Sequence, residues 1–266
     1  MVLVGGHESR GGADLAAWAA PGGREVTGAG RPLTEMVRRV LADSGQDRVC
    51  VVPMTLGRDP RLVADTARSL QWIAQDGEAN RGRIVLSDPF GSMDHLVGWL
   101  RAAAGGAPRT AATAVLVTAP AAGPFEDADL FRVARLVRQY GHHRWVEVAF
   151  DCGDPDVAEG IDRCRLLGAD RIATVRAAFG PPPPGAVTDT PDTTDLGPLL
   201  SRAAVDGILS ARCADALHRL AHGDDGIAAG LDAEHGHGFA HTHGPGGHHT
   251  HGPTATPEHG HDHSHV

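Results

Sequence analysis

Val2-Leu3-Val4-Gly5-Gly6-His7-Glu8-Ser9-Arg10 joins a short apolar run to a glycine pair and then presents a histidine. A run this short and this rich in Val and Leu reads as a buried strand. Open parallel sheets carry their chemistry just beyond the carboxyl ends of their strands. A strand that stops at Gly-Gly-His therefore aims an imidazole at that position.

The same grammar continues along the chain. Apolar runs predict strands at about 2–5, 49–54, 83–87, 113–119, 145–150 and 171–176, with a weaker one near 24–27. Helical spacing separates them. Leu33, Met36, Val37, Val40 and Leu41 share one face, as do Leu130, Val133, Ala134 and Val137. Asp59-Pro60 and Asp154-Pro155 each read as an N-cap followed by a first-turn proline, which places helices at about 60–74 and 155–167. A further helix is expected from Asp94 to Ala103, a short one capped by Asp14 and ending near Ala19, and a last one ending near Leu220. Strand and helix alternating in this way call for parallel strands joined by right-handed helical crossovers, an α/β fold with helices on both faces.

The order of elements also repeats. Val2-Leu3-Val4-Gly5 corresponds to Val115-Leu116-Val117-Thr118, and Arg24-Glu25-Val26 to Trp145-Val146-Glu147-Val148. Asp88-Pro89-Phe90-Gly91 finds its counterpart in Asp195-Leu196-Gly197. Internal repetition of this kind predicts two similar lobes, 1–106 and 107–222, each a parallel sheet flanked by helices. Pro181-Pro182-Pro183-Pro184 can be neither helix nor interior strand and reads as a stiff connector to the last helix.

Composition excludes several classes. With 266 residues and 41% apolar content the chain can build a large core. Its 24 basic residues are all arginine, the net charge is −9, and no basic run occurs, which argues against nucleic acid or an anionic membrane as partner. No apolar segment approaches the roughly 20 residues of a membrane span, and no basic region precedes an apolar one at the N-terminus, so a cytoplasmic location is expected. Cys50, Cys152, Cys164 and Cys213 include no Cys-x-x-Cys pair, so neither a zinc ribbon nor an iron–sulfur cluster is indicated, and Cys50 and Cys164 read as buried thiols.

Residues 223–266 read as a histidine-rich tail, disordered when metal-free, because from His235 onward the chain has no apolar periodicity to offset its entropy. Eleven of the 17 histidines lie there. The pairs His235/His237, His241/His243, His249/His251, His259/His261 and His263/His265, with His248 beside them, can each offer imidazoles to a borderline divalent ion such as Co²⁺, Ni²⁺, Cu²⁺ or Zn²⁺. Flexible ligand sets of this kind gather metal without selecting one.

The opening Gly-His-x-Ser-Arg, the doubled α/β layout, Val51-Val52-Pro53-Met54-Thr55-Leu56, and Val146-Glu147-Val148-Ala149-Phe150 through Leu166-Leu167-Gly168-Ala169-Asp170-Arg171-Ile172 together resemble the sirohydrochlorin cobaltochelatases, class II tetrapyrrole chelatases of cobalamin biosynthesis. The resemblance spans about residues 1–222 in order of elements. It implies two lobes with a cleft between them and insertion of Co²⁺, or Fe²⁺ or Ni²⁺ in relatives, into a sirohydrochlorin-type macrocycle. The partners it implies are a small-molecule tetrapyrrole and divalent metal as substrate, with no organic cofactor.

Insertion hands a partly dehydrated ion to four ring nitrogens while two pyrrole protons leave, so a neutral imidazole and a nearby base are needed. His7 matches the family's first metal-binding histidine and is expected to bind metal or take a proton. Glu8 would assist it, although taken alone it reads as a solvated turn carboxylate. Arg10, Arg58 and Arg61 are candidates to pair with the macrocycle's carboxylates. Three departures accompany the match. Arg61 aligns where members carry a second active-site histidine, Gly30 where an acidic residue is usual, and Thr118-Ala119-Pro120 where a glycine-rich turn is common. His95 reads as a helix-start residue, and His142 and His143 as solvated loop residues. Two further functions remain open beside metal insertion: a metal chaperone or store that kept the fold without catalysis, and a scaffold that binds tetrapyrrole without inserting metal.

Overall fold

A computed structural model of the chain describes residues 1–19, 23–43, 48–76, 80, 82–183 and 191–237. Residues 1–236 form one compact unit, and the chain beyond it, His237 to Val266, lies outside the described residues apart from His237.

The first unit holds two four-stranded parallel sheets. One has the order β2-β1-β3-β4, from Glu25–Gly28, Val2–Gly5, Val49–Met54 and Ile84–Leu86. The other has the order β6-β5-β7-β8, from Trp145–Asp151, Thr113–Pro120, Arg171–Arg176 and Thr193–Asp195. The two orders superimpose strand for strand, so the internal repetition expected from the sequence is a repetition of topology. β8 has too little apolar content to announce itself, and only its pairing with β7 makes it a strand.

Strand period explains the layers. Val2 and Val4 of β1 and Val49 and Val51 of β3 face one apolar cluster with Leu33 and Val37 of α1 (Arg31–Ala42) and Leu62 and Leu70 of α2 (Pro60–Gln75). Leu3, Val52 and Met54 face the opposite way into a second cluster. That second cluster also receives Val115 and Val117 of β5 and Phe150 of β6, so one core serves both sheets. The outer face of the second sheet, through Ala114 and Leu116, is covered by Ile161 and Cys164 of α5 (Val157–Leu166). Strands buried on both faces carry near-continuous apolar runs, which is why they were legible.

Between the lobes the chain exchanges helices. α3 (Met93–Ala104), from the first half, packs beside α4 (Pro124–Tyr140) and β7 of the second. α6 (Arg202–Ala221), from the second half, packs on β3 and β4 of the first. Each sequence-drawn lobe thus lends its last helix to the other's sheet. Ion pairs between Arg24 and Asp206, and between Arg219 and Asp88 at 3.1 Å, tie α6 in place.

Local differences from the sequence reading have local causes. Asp156, not Asp154, caps α5 by accepting from the Glu159 amide at 2.8 Å, and Asp154-Pro155 precedes the helix as a cis peptide. Residues His7–Trp18 form 3-10 turns broken at Ser9 to Gly12, in place of one short helix capped by Asp14. The segment after 222 is not all tail: α7 (Ile227–Leu231) packs Ile227 and Gly230 against Leu86 and Ala67, and a 3-10 turn follows at Asp232–His237. Ile227 is the apolar anchor a purely compositional reading of that segment overlooks. Tail histidines from His241 to His265 lie outside the described residues, and among the described residues no helix is long and apolar enough to cross a membrane.

Candidate active site

The carboxyl ends of β1 and β3 assemble the site. Gly5 and Gly6 let the chain double back, because a side chain at Gly5 would strike the Gly12 backbone and one at Gly6 would occupy the place of the Asp59 carboxylate. The turn they permit brings Asp59 to His7. Nδ1 of His7 lies 2.9 Å from Oδ2 of Asp59, and the His7 backbone amide donates to the same oxygen at 3.3 Å. The other carboxylate oxygen, Oδ1, accepts from the Leu62 amide at 2.9 Å and caps α2. One side chain therefore starts a helix and orients an imidazole.

That contact fixes the tautomer. A carboxylate only accepts, so Nδ1 carries a proton, and in the neutral ring Nε2 is left with its lone pair. Nε2 is buried and has no hydrogen-bond partner among the described residues. Burial works to lower the His7 pKa, but the hydrogen bond to Asp59 and the neighbouring Glu8 and Asp59 charges outweigh it and hold His7 above its usual 6.5. Asp59 shifts the opposite way: burial would raise it, yet the His7 contacts and the Leu62 and His7 amides bring it below its ordinary value.

Glu8 is not solvated. It is 1% exposed, its Oε2 accepting from the Thr55 hydroxyl and from the Leu56 amide at 2.9 Å, while Oε1 has no partner among the described residues. Burial raises its pKa against the opposing pull of Arg58, His7 and these donors. Thr55 in turn accepts from the amides of Gly57 and Asp59, at 2.9 and 3.1 Å. This single hydroxyl ties Glu8 to the loop that delivers Asp59.

The three predicted arginines separate. Arg58 is 1% exposed and reaches the other lobe, where Nε donates to the Glu126 carbonyl at 3.2 Å and Nη2 pairs with Asp127 at 3.0 Å. Asp127 also accepts from the Ala122 amide at 3.0 Å. Arg58 is therefore a buried strut across the lobes and not a surface cation, with only Nη1 lacking a partner among the described residues. Arg10 is exposed, with a left-handed backbone, and its Nε donates to Asp14 at 2.9 Å. Arg61 is exposed in the first turn of α2, 3.6 Å from Asp65. The residue beside His7 is thus Asp59 and not Arg61, the position expected from the alignment of motifs.

Asp59 is the member of the candidate site that sequence reasoning missed. It was read as a cap alone, although a cap uses one carboxylate oxygen and leaves the other free for a distant partner. His95 sits where expected, in the first turn of α3, with Nδ1 2.8 Å from the Ser92 hydroxyl. His143 does not: it is 7% exposed. Among the described residues no group of three metal-ligating side chains occurs. The His7 side chain keeps 24% of its surface exposed, although Nε2 itself is buried. Phe179, whose amide donates to the Glu8 carbonyl at 3.0 Å, helps line a cavity of about 330 Å³ at the carboxyl ends of β5, β7 and β8.

No family model matches the sequence, and no curated protein matches it. Solved structures do. The crystal structure of the sirohydrochlorin chelatase SirB from Bacillus subtilis subspecies spizizenii in complex with cobalt aligns with a TM-score of 0.51 at 13% identity, over 82% of this chain and 94% of that one. SirB from Bacillus subtilis with Fe³⁺ aligns with a TM-score of 0.56 at 16% identity, over 84% and 97%. At such identities the likeness defines the fold, which is that of the class II chelatases: two parallel sheets flanked by helices.

Proposed function

We propose that the protein handles a divalent metal and a sirohydrochlorin-type tetrapyrrole as a chelatase, with Co²⁺ as the leading metal and Fe²⁺, Ni²⁺ or Zn²⁺ as alternatives. The observation that carries the reading is the His7–Asp59 pair at the carboxyl end of β1, which leaves Nε2 with a free lone pair in a buried setting. An imidazole oriented by a carboxylate is a better ligand and a better base than a free one. His7 takes the metal or a pyrrole proton at Nε2, and Glu8, whose proton affinity is raised by burial, is the second proton acceptor in its ionised form. Arg10 and Arg61, both exposed, are assigned to the substrate's carboxylates, exchanging Asp14 and Asp65 for them. Arg58 positions the lobes across which the macrocycle must enter. A metal that is substrate passes through and needs few protein ligands, which agrees with the sparse ligand set.

The histidine-rich segment, His235, His237, His241, His243, His248, His249, His251, His259, His261, His263 and His265, is assigned to gathering metal. The same ligand contrast supports a second reading, a metal store that kept the fold without insertion. Anaerobic incubation with sirohydrochlorin and Co²⁺ separates the two. Spectral conversion above the uncatalysed rate, lost in His7→Ala and retained on deletion of 238–266, supports the chelatase. Metal binding that survives His7→Ala, disappears with the deletion and is never accompanied by conversion refutes it.

A further inference from the structure

A cavity of about 280 Å³ lies where the C-terminal ends of α3 and α4 meet, about 20 Å along α4 from the Arg58 strut. Arg101, Arg109, Tyr140, His142 and His143 help line it, and none of its lining residues is acidic. In a chain of net charge −9 this is a local inversion of sign. Arg101 lies over the Tyr140 ring at 5.9 Å, and among the described residues neither Arg101 nor Arg109 is paired with a carboxylate. Two helix C-termini account for cations nearby, since their dipoles favour positive charge. They do not account for His143.

His143 is 7% exposed, and its Nε2 donates to the Ala104 carbonyl at 2.9 Å. A carbonyl can only accept, so Nε2 holds a proton, and in the neutral ring Nδ1 presents a lone pair. Nδ1 is buried and has no partner among the described residues. An unsatisfied buried acceptor costs about 1–3 kcal/mol, so its natural complement is a ligand that donates to it. The guanidinium groups at the rim ask for the opposite, anionic oxygens. Carboxylate and sulfate supply the oxygens and no donor.

We propose that this cavity is a second ligand site, built for an oxyanion that still carries an O–H: hydrogenphosphate or a singly protonated phosphomonoester. Arg101 and Arg109 take the charged oxygens, and the P–O–H donates to Nδ1 of His143. The inference is independent of the His7 site and of what that site does.

Isothermal titration of the metal-free full chain with inorganic phosphate, and then with glycerol phosphate, tests it against sulfate and acetate. Saturable one-to-one binding is expected, with sulfate and acetate weaker by about tenfold or more, the loss of one hydrogen bond to a charged group. Arg101→Gln with Arg109→Gln should weaken phosphate by a similar factor while the melting curve is kept, and His143→Phe should bring phosphate down to the level of sulfate. If His143→Phe fails to fold, the arginine pair and the sulfate comparison still decide. Equal binding of sulfate and phosphate, phosphate binding that survives loss of both arginines, or no binding up to about 10 mM overturns the proposal.

Discussion

Asp59→Asn separates orientation of His7 from mere proximity. The carboxylate uses both oxygens, Oδ1 on the Leu62 amide at 2.9 Å and Oδ2 on the His7 ring at 2.9 Å and its amide at 3.3 Å. Asparagine has one oxygen. If that oxygen keeps the cap, its NH₂ faces His7, and Nδ1 must become the acceptor, moving the proton to Nε2 and removing the lone pair. If it turns to His7, the helix loses its cap, worth about 1 kcal/mol. Replacing a charge-assisted bond by a neutral one adds about 1 kcal/mol more, for a total loss near 2 kcal/mol. The melting temperature should fall by about 4–8 °C in a body of this size. Without the Asp59 charge, burial and Arg58 are less strongly opposed and the His7 pKa falls.

Long-range ¹H–¹⁵N correlation spectra read the tautomer, and their pH titration reads the pKa. In the native protein Nδ1 should be protonated and the pKa should lie above 6.5. The ion pair then stabilises the fold below 6.5, and that stability is lost as pH rises through the raised His7 value. Asp59 contributes in the complementary sense: its lowered pKa gives stability above 3.8 that disappears as pH falls through the lower folded value. Metal uptake at Nε2 has the reverse dependence on His7 and rises with pH through the same raised pKa. An unchanged tautomer and unchanged pKa in Asp59→Asn would refute the assignment of Asp59 as the orienting group.

Asp127→Asn leaves the buried Arg58 without its counter-ion and should cost about 3 kcal/mol by chemical denaturation, the low end for a broken buried pair because Asp127 keeps some solvent; a loss under about 0.5 kcal/mol contradicts the strut. Glu8→Gln removes a carboxylate whose raised pKa means ionisation works against the fold, so the variant should melt no lower than the parent near pH 4 and higher at pH 7.5. A variant less stable at pH 7.5 would show that the carboxylate charge is needed in place. The hydrogen bond from Cys50 pulls the Cys213 thiol down to about 6, so iodoacetamide at pH 7 should modify Cys213 on α6 faster than Cys164, as read by peptide mass mapping. Cys50→Ala should slow that reaction, and equal rates in parent and variant would remove the pairing from the account.

Much of the architecture was readable because it is written in local patterns. Strands β1, β3 and β5 are buried on both faces, and that burial demands the unbroken apolar runs seen at 2–4, 49–52 and 115–117. The helix start at Asp59-Pro60 comes from cap chemistry confined to a single turn, whereas the Ser92 cap starts α3 at Met93, one residue before the Asp94 start read from the sequence. β8, with one polar triplet, and α7, with Ile227 as anchor, escaped because their stability comes from neighbours far away in the chain. The cap of α5 was misplaced by two residues because Asp154 and Asp156 flank the same proline, and only backbone conformation chooses between them.

The candidate site divides along the same line. Sequence alone determined that an imidazole ends the first strand, that the layout is doubled, and that the tail is loaded with histidine, since all of these are properties of neighbouring residues or of simple repetition. Tertiary structure decided which carboxylate meets that imidazole 52 positions away, that Arg58 spans to Asp127 across 69, and that each half surrenders its last helix to the other. Burial also reversed the characters of Glu8 and His143, from solvated groups to enclosed ones. The reason is the range of the forces: backbone propensity and capping act within a turn, whereas desolvation and charge pairing depend on what the finished fold brings alongside.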